Sequence, residues 1–280
     1  MRIGGRDFDL KAHTYVMGIL NITPDSFSDG GRFNHMDDAL FRVEEMIREG
    51  MEILDIGGES TRPGYTLLPW EEEVERVVPV LKAVKERFDI PISLDTYKSQ
   101  VAEAGIKAGA DLINDIWGLK YDSAMAEVIC SAGIPCVLMH NRKEAAYQNF
   151  QGEVLQDLEE SILLAHQAGI SDDKIILDPG IGFGKTYEHN LILLKSMEKL
   201  LDLDYPVLLG SSRKSVIGLT LDLPASQRME GTLVTTVLAV LKGCSFVRVH
   251  DIKENVRAVK MAEAILLSDG GCLKRGKFCR

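Results

Sequence analysis

Cysteine is scarce and carries no pairing pattern: Cys130, Cys136, Cys244, Cys272 and Cys279 are odd in number, scattered, and contain no CxxC spacing. Neither a disulfide framework nor a zinc site is signalled, and a reducing cytosol is the expected compartment. Basic residues are outnumbered, 32 Lys and Arg against 42 Asp and Glu, for a formal net charge of −10. Nucleic acids and anionic membranes reward dense Lys and Arg, so neither is expected as a partner, and any bound anion has to be met by a local basic cluster. No run of about 18 apolar residues occurs, and the amino terminus MRIGGRDFDLKAH is charged, so no membrane span or signal peptide is predicted. The glycine signatures of nucleotide binding are missing too. No GxGxxG follows the first apolar run, and GIGFGK at 180–185 fails the GxxxxGK[ST] spacing and reads as a tight turn.

What the 280 residues do contain is alternation, with a hydrophobic share of 45% that suffices for a large core. Short runs rich in Val, Ile and Leu recur between longer stretches of helical spacing, as buried parallel strands and their crossover helices do. The predicted strands are Tyr15–Leu20, Glu52–Ile56, Pro91–Leu94, Asp111–Asp115, Pro135–Met139, Lys174–Leu177, Pro206–Leu209 and Phe246–Val249. The predicted helices are Asp37–Glu49, Trp70–Arg87, Lys98–Ala108, Ser123–Ala132, Glu153–Ala168, Glu188–Lys199, Ala225–Lys242 and Ile252–Leu267. Gly50, Gly109, Gly133, Gly169 and Gly243 each close a helical pattern, where positive φ is wanted. Eight such units in one chain predict a (β/α)8 TIM barrel rather than an open sheet. The stretch Arg2–Leu10, broken by Gly4-Gly5, reads as a short N-terminal β-hairpin over the barrel bottom. One domain, 1–268, is expected, followed by a basic, aperiodic tail, 269–280, that should fray.

In such a barrel the carboxyl ends of the strands face the active-site mouth. Here those ends are polar: Asn21, Asp55, Asp95, Asn114-Asp115, His140, Asp178, the GSSRKS segment at 210–215, and Arg248-Val249-His250-Asp251. Any one of Asp95, Asp115 or Ser215 could be no more than a helix cap. Asn114 is harder to explain that way, because a buried amide must find partners. Arg248 and His250 alternate with Val247 and Val249 and so share one side of a strand, and a barrel interior has no general use for two basic groups. His140, with no second ligand at metal spacing, reads as solvent-facing or packed. His13 suggests no role. Asp95, Asn114 and Asp178 suit hydrogen bonding to a planar heterocycle, and Arg62, Lys214, Arg248 and His250 suit a phosphate.

With these pieces in order, the chain resembles the dihydropteroate synthase family of pterin-binding enzymes. The resemblance rests on GILNITPDSFSDGG (18–31), LDIGGESTRPG (54–64), ISLDT (92–96), LINDI (112–116), LMH (138–140), LDPGIGFGK (177–185), GSSRKS (210–215) and RVHD (248–251). It implies condensation of (7,8-dihydropterin-6-yl)methyl diphosphate with 4-aminobenzoate, assisted by Mg2+, in a cytoplasmic homodimer. By resemblance, Asp95, Asn114, Asp178 and Lys214 hold the pterin. Asn21, Arg248 and His250 meet the diphosphate, and Asn21 also binds the metal. Thr61, Arg62, Pro63, Phe183 and Ser212 border the diphosphate and the aminobenzoate, and Asp95, Lys214, Arg248 and His250 are the expected catalytic groups. One departure stands out: Asn141-Arg142-Lys143-Glu144 follows LMH where the family commonly has Met-Gln-Gly. The alternatives are a pterin-dependent methyltransferase serving a corrinoid partner, against which SSRK and RVH count, and a silent pterin-binding paralogue, which would have lost Asn21, Asp95, Lys214 or Arg248.

Overall fold

The computed structural model describes residues 1–22, 32–59 and 67–268, with the backbone alone for 32–35. Thr61, Arg62, Pro63 and the tail 269–280 lie outside the described residues. Eight parallel strands form the barrel: β3 (Tyr15–Asn21), β4 (Ile53–Gly57), β5 (Ile92–Asp95), β6 (Leu112–Asp115), β7 (Cys136–Met139), β8 (Ile175–Asp178), β9 (Leu208–Leu209) and β10 (Phe246–Val249). Neighbours pair in chain order, β10 pairs with β3, and a parallel bridge from Leu177 to Val207 joins β8 to the β9 segment, closing the sheet. Each predicted strand is present to within two residues at either end.

The helices are α1 (Arg32–Glu49), α2 (Trp70–Arg87), α3 (Ser99–Lys107), α4 (Met125–Ala132), α5 (Phe150–Ala168), α6 (Tyr187–Lys195), α7 (Ser215–Leu221), α8 (Met229–Leu241) and α9 (Ile252–Leu266). In α2, Val77, Val80, Leu81 and Val84 are buried at the i, i+3, i+4, i+7 spacing that makes one face apolar. Glu71, Glu72 and Glu73 occupy its first turn and Lys85 and Arg87 its last, the charge order that a helix dipole favours. Gly133 (φ 67°) and Gly169 (φ 93°) end α4 and α5 in the left-handed region, as the sequence predicts. Two differences have local causes. The segment predicted as one helix to Lys199 stops at Lys195, and a 3-10 turn over Met197–Leu203 continues it. Helix α7 was not anticipated, because two turns are too short to display a period.

Period-two alternation sorts the strand residues into layers. Met17, Ile53, Leu112, Val137, Ile176, Leu208 and Phe246 pack together inside the lower barrel with Ile3 and Phe8. Those last two come from the predicted hairpin, β1 (Arg2–Ile3) and β2 (Arg6–Asp7), which plugs the bottom. Two residues further along the same strands come Asp55, Asn114, Met139, Asp178, Gly210 and Arg248, joined on β5 by Asp95. The barrel is therefore apolar below and charged above. Outside the strands, Val, Ile and Leu side chains pack against the helices in a second, larger core.

Candidate active site

Parallel pairing carries Asn21, Gly57, Asp95 and Asn114 across four neighbouring strands at one level. A side chain on Gly57 would begin 3.6 Å from the Asp95 Cβ and 3.9 Å from the Asn21 Oδ1, so the missing side chain leaves these two groups facing a common gap. From β10, the neighbour of β3, Arg248 Nε donates to Asp55 Oδ2 and its Nη2 to Asp95 Oδ2, both at 2.6 Å. Burial alone would pull Arg248 down, but the two carboxylates outweigh it and hold the guanidinium above its ordinary value. Burial pushes Asp95 up to about 7 even against Arg248, since Asp55 adds a like charge. The second oxygens, Asp55 Oδ1 and Asp95 Oδ1, are buried and accept no hydrogen bond from the described residues. A buried acceptor without a donor is costly, so these oxygens favour a ligand that brings N–H groups.

Across the mouth Asp178, almost fully buried, accepts from the Gly180 amide at 2.7 Å. Burial raises its pKa, opposed by Lys214. Lys214 donates to the Ile181 carbonyl at 2.6 Å and sits 4.7 Å from the centre of the Phe183 ring, a cation–π contact. Burial lowers this amine to about 8 against the pull of Asp178, with Arg248 and Asp95 acting on it as well. Asp95, Asp178, Lys214 and Arg248 therefore lie within electrostatic reach of one another. Ser212 Oγ accepts from the His250 backbone N–H at 3.2 Å and lies 3.0 Å from His250 Nδ1, tying the seventh and eighth strand ends together. Tyr97, Ile116 and Met139, with Trp117 and Phe183, form an apolar cluster at this end of the barrel.

Of the residues singled out in the sequence, Asn21, Asp95 and Asn114 end neighbouring strands at one level, Arg248 binds Asp95, Lys214 lies near Asp178 and Phe183, and Ser212 bonds His250. Asp115 caps no helix: its two oxygens accept from the Trp117 and Leu119 amides at 2.8 and 2.7 Å and brace the turn that follows β6. His140 is packed, with its ring fully buried. His13, to which the sequence assigned no role, lies in an ion cluster with Glu263 and Glu52. The sequence assigns no role to two groups beside the site. Asp55 shares the inward parity of Ile53, which was a usable signal, but its role depends on Arg248, 193 positions away. Lys185 was read as part of a turn, and its buried amine bonds His140 and the Phe183 carbonyl.

A family model described as pterin binding enzyme matches residues 17–250. A dihydropteroate synthase of Clostridium beijerinckii is 57% identical over 267 residues, covering 95% of this chain and 99% of the relative. The Bacillus subtilis dihydropteroate synthase is 51% identical over 93% of this chain and 91% of its own. Among solved structures, a Clostridium difficile dihydropteroate synthase in the presence of pteroic acid superimposes with a TM-score of 0.91 at 47% identity, covering 92% of this chain and 99% of that one. A Xanthomonas albilineans dihydropteroate synthase with 4-aminobenzoic acid gives 0.90 at 40% identity, over 95% and 97%. The match runs over nearly the whole chain and spans all eight barrel strands: the chain belongs to the pterin-binding enzyme family and, within it, to the dihydropteroate synthases.

Proposed function

We propose that the chain condenses (7,8-dihydropterin-6-yl)methyl diphosphate with 4-aminobenzoate, releasing 7,8-dihydropteroate and diphosphate. One observation carries this reading: Asp95, Asp178, Lys214 and Arg248 meet at the buried strand ends, with acceptors that no donor among the described residues fills. The amino and imino N–H groups of a pterin complement Asp95, Asn114 and Asp178, and Lys214 donates to its acceptor edge. Arg248 and His250 face the diphosphate from the eighth strand end, with Ser212 beside His250 and Asn21 on the adjoining first barrel strand. As the carbon–oxygen bond to diphosphate breaks, positive charge develops on the pterin methylene, and Asp95 and Asp178 favour it electrostatically. The arylamine nitrogen then bonds to that carbon and gives up its proton, so no strong base is required.

Mg2+ suits the donor set. Asn21 supplies a neutral amide oxygen, no cluster of three His, Cys, Asp or Glu able to cage a metal occurs among the described residues, and Mg2+ commonly takes one or two protein oxygens plus substrate phosphates. When bound it would neutralise charge on the leaving diphosphate. We place the protein in the cytoplasm, a reading supported by the free thiols of Cys130, Cys136 and Cys244. A homodimer through the outer helices is supported by exposed apolar side chains on α7 and α8, Leu219 (67%), Val234 (68%) and Leu241 (51%). Purified protein mixed with the pterin diphosphate, 4-aminobenzoate and Mg2+ should release diphosphate and form 7,8-dihydropteroate. Turnover only with methyltetrahydrofolate and a corrinoid protein would reverse the assignment.

A further inference from the structure

The segment after LMH, where the sequence departs from the family, sits between α5 and the loop that follows β8. His140 Nε2 lies 3.0 Å from Asp157 Oδ2 on α5, and its Nδ1 lies 2.6 Å from Lys185 Nζ. The ionised Asp157 carboxylate only accepts, so Nε2 carries the proton toward it and Nδ1 is left to accept from Lys185. Burial keeps this ring neutral, lowering its pKa to about 4 against the pull of Asp157. Lys185 also donates to the Phe183 carbonyl at 2.9 Å. Beside it Arg142 grips the same Asp157 through Nε at 2.6 Å and Nη2 at 3.1 Å, and donates through Nη1 to Glu153 at 2.7 Å. The Arg142 guanidinium lies 4.5 Å from the centre of the Tyr147 ring, whose hydroxyl donates to the Gly184 carbonyl at 2.7 Å.

Two consecutive carbonyls are thus held: that of Phe183 by Lys185 of the same loop, anchored on His140, and that of Gly184 by Tyr147 of the fifth loop, packed under Arg142. Contact is close: a Cβ on Gly184, whose φ is +54°, would lie 2.3 Å from the Arg142 carbonyl oxygen. From the opposite side Lys214 holds Ile181 and faces the Phe183 ring. The loop is clamped between a support and the site.

We propose that Tyr147 and Lys185 are positioning residues for the second substrate, setting the place of Phe183 through the carbonyls of residues 183 and 184. They touch neither substrate and act on the ring that borders the arylamine. The inference rests on the reading under Proposed function, because it needs 4-aminobenzoate to be the group that meets Phe183. It assigns a use to the 141–147 segment, which the resemblance leaves without one.

The test is two-substrate kinetics on the full chain and on Tyr147→Phe and Lys185→Gln, with thermal unfolding in parallel. Tyr147→Phe removes one hydroxyl and keeps the ring under Arg142. The expected result is a KM for 4-aminobenzoate raised about fivefold, the loss of one neutral hydrogen bond, with kcat, the KM for the pterin diphosphate and the melting temperature unchanged. Lys185→Gln should raise the same KM by more. If Lys185→Gln does not fold, Tyr147→Phe decides alone. An unchanged arylamine KM, or an equal loss in both substrates together with lower thermal stability, overturns the proposal and leaves the reaction assignment standing. Absence of turnover by the unsubstituted chain overturns both.

Discussion

Arg248 holds two carboxylates at once, and the effect of removing it is set by what it leaves behind. Asp55 is fully buried and Asp95 nearly so, so Arg248→Ala abandons two carboxyl groups in an apolar wall. Breaking a buried pair in this way costs about 3–5 kcal/mol. We therefore expect Arg248→Ala to lower unfolding stability by about that amount in urea titration and to abolish most turnover. Adding Asp55→Asn should return part of the stability and none of the activity. If stability does not change, Arg248 is not bound to these carboxylates in solution. This double role marks the limit of what single positions disclose. The parity of Arg248 and His250 was visible from the alternating valines, and Asp95, Asn114 and Asp178 from polar residues at the ends of apolar runs. That Asp55 would share Arg248 with Asp95 was not visible, because ring closure, rather than local pattern, brings β4, β5 and β10 together.

At the scale of elements, the end of the seventh barrel strand, β9, shows how backbone makes room for chemistry. Gly210 follows β9, and a Cβ placed there would lie 3.4 Å from Asp178 Oδ2 and 3.8 Å from Lys214 Nζ, ordinary contact distances. Gly210→Ala should consequently fold, with a melting temperature within a few degrees of the parent, while its methyl occupies the space these two groups share. The KM for the pterin diphosphate should rise about tenfold or more, since misplacement by an ångström carries losses of that order. An unaffected pterin KM would place the ring elsewhere. The outer helices allow a second test at this scale. Val234 on α8 is 68% exposed, and Val234→Glu should convert a dimer to a monomer in light scattering if α7 and α8 form the interface. Helix α8 was legible as part of a longer helical pattern, whereas α7 was not, because its seven residues repeat too few times for a period to emerge. The segments 23–31 and 60–66 carry motifs of the family, and they lie outside the described residues.

For the molecule as a whole, closure of the barrel brings the first strand against the last, and the junction beneath carries an ion cluster. His13 precedes β3, Glu52 precedes β4 and Glu263 lies on α9. His13 Nδ1 is 2.8 Å from Glu263 and Nε2 is 3.4 Å from Glu52, while the other Glu263 oxygen accepts from the Thr14 amide at 2.6 Å. Burial works against a charged imidazole here, but hydrogen bonds to Glu263 and then Glu52 outweigh it and raise the pKa to about 9. The folded state thus binds this proton more tightly than the unfolded chain, whose histidine titrates near 6.5. The contribution is complete below about pH 6.5 and is lost as pH rises through about 9. With the side chain 30% exposed, its size after screening is on the order of 2 kcal/mol. Asp95, Lys185 and Lys214 titrate in the same range, so the quantity to measure is the difference in unfolding free energy between the protein and His13→Gln. That difference should be largest at about pH 6 and shrink toward about pH 10. His140 has the opposite sign: held near 4 by burial, it loses stability as pH falls from 6.5 to 4, and His140→Asn should remove that acid-side loss. If the His13→Gln difference is flat from about pH 6 to about pH 10, the imidazole is not charged between its glutamates, and the junction of the first and last strands is held by packing alone.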